Sequence, residues 1–152
     1  MPFSILHFSD LHLDTSFADS RLPPEIGRRC REQLRQTLHE LLRLAQTNKA
    51  DAVTIAGDLF DHERLHPETL KFLAEQFAQL APTPIFITPG LHDHAGADSA
   101  YQTRRWPANV HIFLNETLSD RPLSPEYELW GAARMHAHDE ANVLESTVVS
   151  TS

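Results

Sequence analysis

Three short apolar segments alternate with two amphipathic segments along the first ninety residues, and no other feature of the sequence constrains the fold as strongly. The apolar segments, 4–8, 51–58 and 83–90, have the length and composition of buried strands. The amphipathic segments repeat apolar residues at helical spacing: Leu34, Leu38, Leu41 and Ala45 in the first, and Leu70, Leu73, Phe77 and Leu80, after Pro67, in the second. Strand–helix–strand–helix–strand is the pattern of a parallel sheet with right-handed crossovers, so the sequence predicts an α/β fold.

Beyond the third predicted strand the pattern is weaker. Segments 110–114 and 127–131 are apolar enough to form two further strands, joined by a loop that contains proline and serine. From 136 to 152 the residues are small and polar, and a flexible tail is expected there. The sequence therefore predicts one folded domain over residues 1–135, followed by a tail over residues 136–152.

A polar cluster follows each of the first three predicted strands. The clusters occupy positions 9–12, 57–61 and 90–93, and each contains at least one aspartate or histidine. In a parallel sheet the carboxyl ends of the strands meet at one edge, and open α/β sheets bind their ligands there. The three clusters are therefore expected to form a single site.

The residue types in these clusters favour metal chemistry. Asp10 and His12 lie two residues apart and can turn toward one ion, which manganese, iron or zinc would accept. The two oxygens of Asp58 can bridge a pair of ions, and two metals about 3.5–4 Å apart activate a bridging water for in-line attack on a phosphoryl group. His92 can protonate the leaving oxygen, and Asp93 can orient the imidazole or stabilise its charge.

Composition narrows the possible partners. The formal net charge is −8, from 13 lysines and arginines against 21 aspartates and glutamates. This balance argues against a broad basic surface for nucleic acid, but not against a phosphoester substrate, because bound divalent cations would reverse the local sign. The single cysteine, Cys30, is typical of a reducing cytoplasm. No segment is long and apolar enough to span a membrane, so the expected location is the cytoplasm.

The three motifs resemble those of calcineurin-like metallophosphoesterases, which read Asp-x-His, Gly-Asp-x-x-Asp and Gly-Asn-His-Asp/Glu. The runs ILHFSDLHLD and AGDLFDHERLHPETL are more similar still to SbcD-type DNA repair exonuclease subunits, and the resemblance extends over residues 3–131. It implies the first half of a four-layer α/β/β/α sandwich built on a mostly parallel sheet. It also implies metal ligation by Asp10, His12 and Asp58, with Asp61 lining the site.

Cofactors and partners are implied by the same resemblance. The family hydrolyses phosphoesters with two divalent metals, of which manganese is expected first, with iron or zinc as alternatives. In the SbcD-type branch the substrate is DNA, and an ATPase subunit of the repair complex is the partner. The resemblance therefore implies a metal-dependent phosphodiesterase that acts on DNA ends.

Two departures from the family pattern limit the activity that is expected. Leu91 stands where the family has an asparagine that binds the second metal, and leucine has no lone pair to donate. The family also carries later histidine ligands. His136 and His138 have the His-x-His spacing, but Arg134-Met135 precedes them rather than a glycine turn. One bound ion is therefore expected, with two-metal hydrolysis impaired.

Two other functions stay open on the same scaffold. The first is a non-catalytic interaction module that holds a partner protein, which Leu91 favours. The second is a small phosphomonoesterase or nucleotide phosphodiesterase. The sheet face that the other half of the sandwich covers is expected to be apolar and exposed, which predicts self-association or a partner on that face.

Overall fold

Four parallel strands form the central sheet: β1 (Ile5–Phe8), β2 (Ala52–Ala56), β3 (Ile85–Thr88) and β4 (Val110–Ile112), in that order across it. This arrangement comes from a computed structural model, which describes residues 2–17, 23–138 and 142–145. The first three strands lie inside the apolar segments that predicted them. The predicted α/β class, with a mostly parallel sheet and helical crossovers, is confirmed.

Two long helices supply the crossovers between the first three strands. They are α1 (Pro24–Thr47) and α2 (Pro67–Gln79), and each begins with a proline followed by a glutamate. Proline suits the first turn because its N–H is not needed there, and glutamate complements the positive end of the helix dipole. A 3₁₀ turn at His62–Arg64 and the single-turn α3 (Ala100–Thr103) complete the helical elements. Within the described part of the chain, no helix has the length and apolar character needed to cross a bilayer.

One face of the sheet is apolar and packs against the helices. The strand register aligns two rows of side chains on this face: Leu6, Val53, Ile85 and Val110, then Phe8, Ile55, Ile87 and Ile112. Both rows belong to the same core as Leu38 and Leu42 of α1 and Leu73 and Phe77 of α2. Leu42 is buried in place of the predicted Leu41, because the core meets α1 along the i, i+4, i+7 row that starts at Leu38.

The opposite face of the sheet is mixed in character. An antiparallel hairpin of β5 (Ser119–Pro122) and β6 (Glu128–Gly131) lies on this side. A second apolar cluster joins it to the sheet through Phe3, Ala52, Phe86, Phe113, Leu123 and Leu129. Toward β1 the same face carries Ile5, which is 45% exposed, and His7, whose Nδ1 lies 2.8 Å from the hydroxyl of Thr54.

The hairpin is where structure and sequence prediction differ. β5 was predicted as loop, because its residues Ser-Asp-Arg-Pro are polar and show no apolar alternation. It becomes a strand through its backbone pairing with β6. The predicted strands at 110–114 and 127–131 are present but shorter. The predicted tail falls largely outside the described residues, and its described parts, 136–138 and 142–145, contain turns.

Candidate metal centre

Parallel pairing continues beyond the ends of β1 and β2, into the loops that carry the first two polar clusters. The backbone N–H groups of Asp10 and His12 donate to the carbonyls of Gly57 and Asp58 at 3.1 and 2.9 Å. The next residue, Leu13, is fully buried and forms a further parallel bridge across the loops. The two predicted ligand clusters are therefore held side by side by backbone hydrogen bonds and anchored in the core.

Left-handed backbone conformations are concentrated in these loops. Asp10, His12 and Asp58 have φ values of 58°, 49° and 54°, and Gly57 has a φ of 82°. Such a conformation costs a non-glycine residue of order 1–3 kcal/mol and persists only where the surrounding structure enforces it. Aspartate and histidine accept this region more readily than most residues. Since all three predicted metal ligands adopt it, the strain indicates a functional constraint at this edge of the sheet.

Two imidazoles converge on one carboxylate oxygen. Oδ2 of Asp58 lies 3.0 Å from Nδ1 of His92 and 3.9 Å from Nε2 of His12. The two imidazole rings meet edge to face, with centroids 4.8 Å apart. Potential ligand atoms of His12, Asp58 and His92 all lie within 4.8 Å of one another. Two imidazoles and a carboxylate are a donor set that manganese, iron and zinc accept, so these residues fit a divalent metal ion.

Asp61 has a more definite place than the sequence indicated. Its Oδ1 lies 2.9 Å from Nδ1 of His12, which leaves Nε2 of that imidazole facing Asp58. Ligating histidines are typically oriented by a carboxylate on the ring nitrogen that does not bind the metal. Asp61 therefore lies in a position that fixes the orientation of His12, and its predicted place in a metal site stays a prediction.

Asp10 lies at the same site but outside the compact group. It lines a cavity of about 530 Å³ together with His12, Asp61, Arg64 and His92. Its carboxylate accepts a hydrogen bond from the neighbouring hydroxyl of Ser9. Asp10 thus faces the same space as His12 and His92, and its predicted ligation stays a prediction.

Asp93 is fully buried and accepts hydrogen bonds from the backbone of the site. Its Oδ1 accepts hydrogen bonds from the N–H groups of Asp58 and Gly90 at 2.9 and 2.6 Å. Its Oδ2 accepts one from the N–H of Leu59 at 2.8 Å. The predicted role was to orient the imidazole of His92 or to stabilise its charge. In the structure Asp58 contacts that imidazole instead, because the oxygens of Asp93 are occupied by N–H groups of the two loops.

Tyr101, in α3, is a site residue that the sequence analysis missed. Its hydroxyl donates to Oδ2 of Asp93 at 2.7 Å, and the side chain is almost completely buried. Burial, reinforced by the charge of Asp93, raises the pKa of Tyr101 well above its ordinary value of 10. The phenol therefore stays protonated and acts as a donor. In the sequence it resembles any packing aromatic.

Gly90 allows the second and third loops to approach closely. A Cβ atom at this position would lie 2.5 Å from Oδ1 of Asp58 and 2.7 Å from its backbone nitrogen. These distances are well inside van der Waals contact, so any other residue would push the two loops apart. The glycines of the second and third loops, Gly57 and Gly90, are thus explained by the close approach of the two backbones.

The pKa values of Asp58 and His92 shift in opposite directions, because the two side chains are hydrogen-bonded to each other. Partial burial opposes ionisation of Asp58, but hydrogen bonds from the backbone and ring of His92 outweigh it and lower the pKa of Asp58 below its ordinary value. The hydrogen bond to Asp58 in turn raises the pKa of His92 above its ordinary value of 6.5, with smaller contributions from the charges of Asp58, Asp61 and Asp93. Asp93 thus contributes charge stabilisation even though it does not orient the ring.

Leu91 lies beside this group and provides no ligand atom. It is 42% exposed and lines a second cavity, of about 380 Å³, with His92 and His138. Neither His136 nor His138 belongs to the compact group of ligand atoms found among the described residues. His138 nevertheless shares the cavity of Leu91, so its ligation stays a prediction.

Comparison with known proteins bears directly on this geometry. The profile of the calcineurin-like phosphoesterase family matches residues 3–145, which include all three loops. The chain belongs to the calcineurin-like phosphoesterase family. A Bacillus subtilis (strain 168) protein, described as the uncharacterised metallophosphoesterase YhaO, is 34% identical over 126 residues. That alignment covers 81% of this chain and 30% of the relative, so the chain spans about a third of the relative's length.

Membership of the family implies divalent metal binding, and the residues present fit such an ion. His12, Asp58 and His92 of this phosphoesterase offer two imidazoles and a carboxylate at the edge of the sheet where the family's motifs meet. A bound divalent metal supplies Lewis acidity to a phosphoryl oxygen and lowers the pKa of a bound water. The finer expectations, namely the identity of the metal and the number of ions, stay predictions.

Removal of the Tyr101 hydroxyl tests whether the buried network positions the metal ligands. In Tyr101→Phe the carboxylate of Asp93 loses one of its hydrogen bonds, so we expect the free energy of unfolding to fall by about 1.5–3 kcal/mol. We also expect manganese to bind about tenfold more weakly, because the loop of Asp58 is less firmly held. Chemical denaturation and calorimetric titration measure the two effects.

Tyr127→Phe is the matched control, since Tyr127 is half exposed and lies in the hairpin on the other face of the sheet. It should change neither quantity. If Tyr101→Phe lowered stability while manganese affinity stayed constant, Tyr101 would be a packing residue with no positioning role.

Metal binding should weaken as the pH falls. A cation that takes Oδ2 of Asp58 must displace the proton that Nδ1 of His92 holds there. Because the pKa of His92 is raised, this competition begins above pH 6.5, whereas Asp58, with its lowered pKa, remains ionised in that range. We expect calorimetric titration across the neutral range to give a manganese affinity that decreases on acidification.

His92→Gln should flatten this pH dependence, because the competing proton is gone. His39→Gln is the control, since His39 contacts Gln76 on the outer side of the helices and should leave the dependence unchanged. A steep dependence that persists in His92→Gln would assign the titration to another group.

Proposed function

We propose that this chain carries the metal-binding part of a phosphodiesterase centre that holds one divalent ion, manganese in the first instance. The observation that supports the proposal is the convergence of His12 and His92 on one oxygen of Asp58, at the carboxyl ends of three neighbouring parallel strands. Asp10 faces the cavity that His12 also lines and is the proposed third ligand beside His12 and Asp58, which leaves the imidazole of His92 available as an acid. Asp61 holds the ring of His12 in the orientation that ligation needs.

The roles of the chain's own residues follow from charge and position. Asp58 is ionised and supplies the negative charge that a cation requires. His92 has a raised pKa and is half exposed, so its imidazolium is the proposed acid that protonates the leaving oxygen of a phosphodiester. Asp93 acts indirectly, by holding the backbone of Asp58 and Gly90.

Leu91 is the proposed cause of impaired hydrolysis. The family pattern has an asparagine oxygen at this position, and leucine cannot replace it as a ligand. Two-metal catalysis requires both the attacking and the leaving oxygen to be stabilised by ions, so the loss of one ligand affects the rate more than it affects the first ion. The whole protein's activity depends further on any ligands beyond these residues.

Substitution of this leucine tests the proposal directly. In Leu91→Asn the new amide oxygen provides the missing ligand, so we expect a second bound manganese and faster hydrolysis of bis(p-nitrophenyl) phosphate. The measurements are metal stoichiometry by elemental analysis and initial rates at saturating manganese. Leu91→Ala is the matched control, because it removes the leucine without adding a donor.

Three outcomes separate the alternatives. A gain in Leu91→Asn alone supports an enzyme disabled at one position. Equal rates in Leu91→Asn and Leu91→Ala would overturn the role given to Leu91. No hydrolysis by any variant, with one ion bound in each, would favour the non-catalytic interaction module.

DNA ends are the proposed natural substrate. The similarity of the 57–61 run to SbcD-type subunits supports this choice, and Arg104 and Arg105 are exposed beside Trp106, where they can contact a phosphate backbone. Rates on a short duplex, on bis(p-nitrophenyl) phosphate and on p-nitrophenyl phosphate distinguish a nuclease from a general diesterase and from a monoesterase. Preference for the monoester would favour the small phosphomonoesterase function instead.

Self-association, or association with an ATPase partner, is proposed for the mixed face of the sheet. Ile5 on β1 is 45% exposed. In the hairpin on the same side, Trp130 and Tyr127 are 42% and 50% exposed, and the ring of Tyr127 lies 5.5 Å from that of Phe3, just before β1. Apolar groups of this size favour burial against a partner. We expect size-exclusion chromatography with light scattering to give a mass above that of the monomer at high concentration, and Ile5→Lys to restore the monomer. A concentration-independent monomer of the unmodified chain would count against self-association.

A further inference from the structure

A second pair of histidines lies beside the metal centre. His62 opens the 3₁₀ turn that follows Asp61, and His94 follows Asp93 in the third loop. Their ring centroids are 4.8 Å apart, the same separation as between the rings of His12 and His92. Imidazoles that share a tetrahedral zinc ion through nitrogens about 2 Å away have ring centres about 5 Å apart, so the spacing suits a shared ion.

One ring nitrogen of each imidazole lacks a partner among the described residues. Nδ1 of His62 and Nδ1 of His94 are both buried and have no hydrogen-bond partner among the described residues. A buried polar atom without a partner costs about 1–3 kcal/mol, which makes two such atoms in contacting rings an unusual arrangement. A ligand shared by the two rings would fix their tautomers and account for the pairing.

A carboxylate stands next to the pair. Oδ2 of Asp98 lies 3.9 Å from Nε2 of His62, and the side chain of Asp98 is 84% exposed. It faces the ring nitrogen opposite Nδ1, where a carboxylate can orient the imidazole without binding the ion itself. His62 and His94 also line the cavity of about 380 Å³ that contains Leu91 and His138, which leaves room for the ion and for a water or a further ligand.

We propose that His62 and His94 hold a second cation through their buried Nδ1 atoms, separate from the centre at Asp58, and that Asp98 orients the ring of His62 from its Nε2 side. Zinc or a similar borderline-soft divalent ion suits the site, because imidazole nitrogen is the donor that such ions prefer, and water completes the four-coordinate shell. The site shares no residue with the first centre. The backbone N–H of His62 donates to the carbonyl of His92 at 2.8 Å, so an ion at the second site steadies the loop that carries His92.

Zinc stoichiometry in four proteins tests the proposal. Each is equilibrated against buffered free zinc, and bound metal is measured by elemental analysis. We expect the unmodified chain to bind two ions, Asp58→Asn one, His94→Gln one, and the double variant none. His39→Gln, which alters a histidine outside both sites, should still bind two.

The experiment distinguishes an error in the second site from an error in the first centre. If Asp58→Asn lost all zinc, the second site would not exist, whatever the fate of the first. If His94→Gln kept two ions, the second ion would lie elsewhere. If the unmodified chain bound one ion and Asp58→Asn still bound one, the second site would stand and the first centre would be the one refuted.

A substitution at an exposed residue and a spectroscopic measurement test the site without the risk that the variant misfolds. Asp98 is exposed, so Asp98→Asn should leave the fold intact and weaken zinc binding in the Asp58→Asn background by about tenfold. In the same background, nitrogen chemical shifts of His62 and His94 should move on zinc addition while those of His39 and His111 stay constant. Zinc-induced shifts at His39 or His111 without shifts at His62 and His94 would overturn the assignment.

Discussion

The carboxylate of Asp93 is the interaction on which the rest of the site depends. It is buried, it forms no ion pair within the described part of the chain, and it accepts hydrogen bonds from backbone N–H groups of the second and third loops and from the hydroxyl of Tyr101. A buried charge is tolerated only when it is fully hydrogen-bonded. The loops must therefore adopt the one arrangement that satisfies this group, and that arrangement also brings Asp58 and His92 together.

The strained backbone of the loops and the buried charge of Asp93 both require a stable scaffold. The left-handed conformations of Asp10, His12 and Asp58 cost free energy that the sheet and its core must supply. The two fully apolar rows on the helical side of the sheet give the scaffold the stability to hold them. A rigid core next to a strained edge is the arrangement expected of a preorganised ligand site.

Much of this was predictable from sequence, because apolar periodicity determines both the strands and the edge at which they end. Periodicity places His12 and Asp58 at that edge, and the family resemblance, rather than periodicity, implied that Asp61 lines the site. The role of Asp93 could not be predicted in this way. Nothing in the neighbouring sequence distinguishes an aspartate that binds a metal from one that contacts an imidazole or accepts backbone hydrogen bonds. Strand β5 and Tyr101 were missed because a polar strand and a buried phenol acquire their roles only from distant partners. The contact of His62 with His94 required knowing that the two loops are neighbours.

The register of β1 and β2 pairs residues that lie 47 positions apart, as in Ile5 with Ala52. No tight hairpin joins these strands. Their pairing therefore costs the entropy of closing a long loop before the contacts between the strands can stabilise the chain. A cation bound at the edge of the sheet would hold together residues that follow three such strands, and it would have no such site in the unfolded chain. Its concentration would then enter the folding equilibrium by mass action, so metal supply would determine how much of this chain is folded.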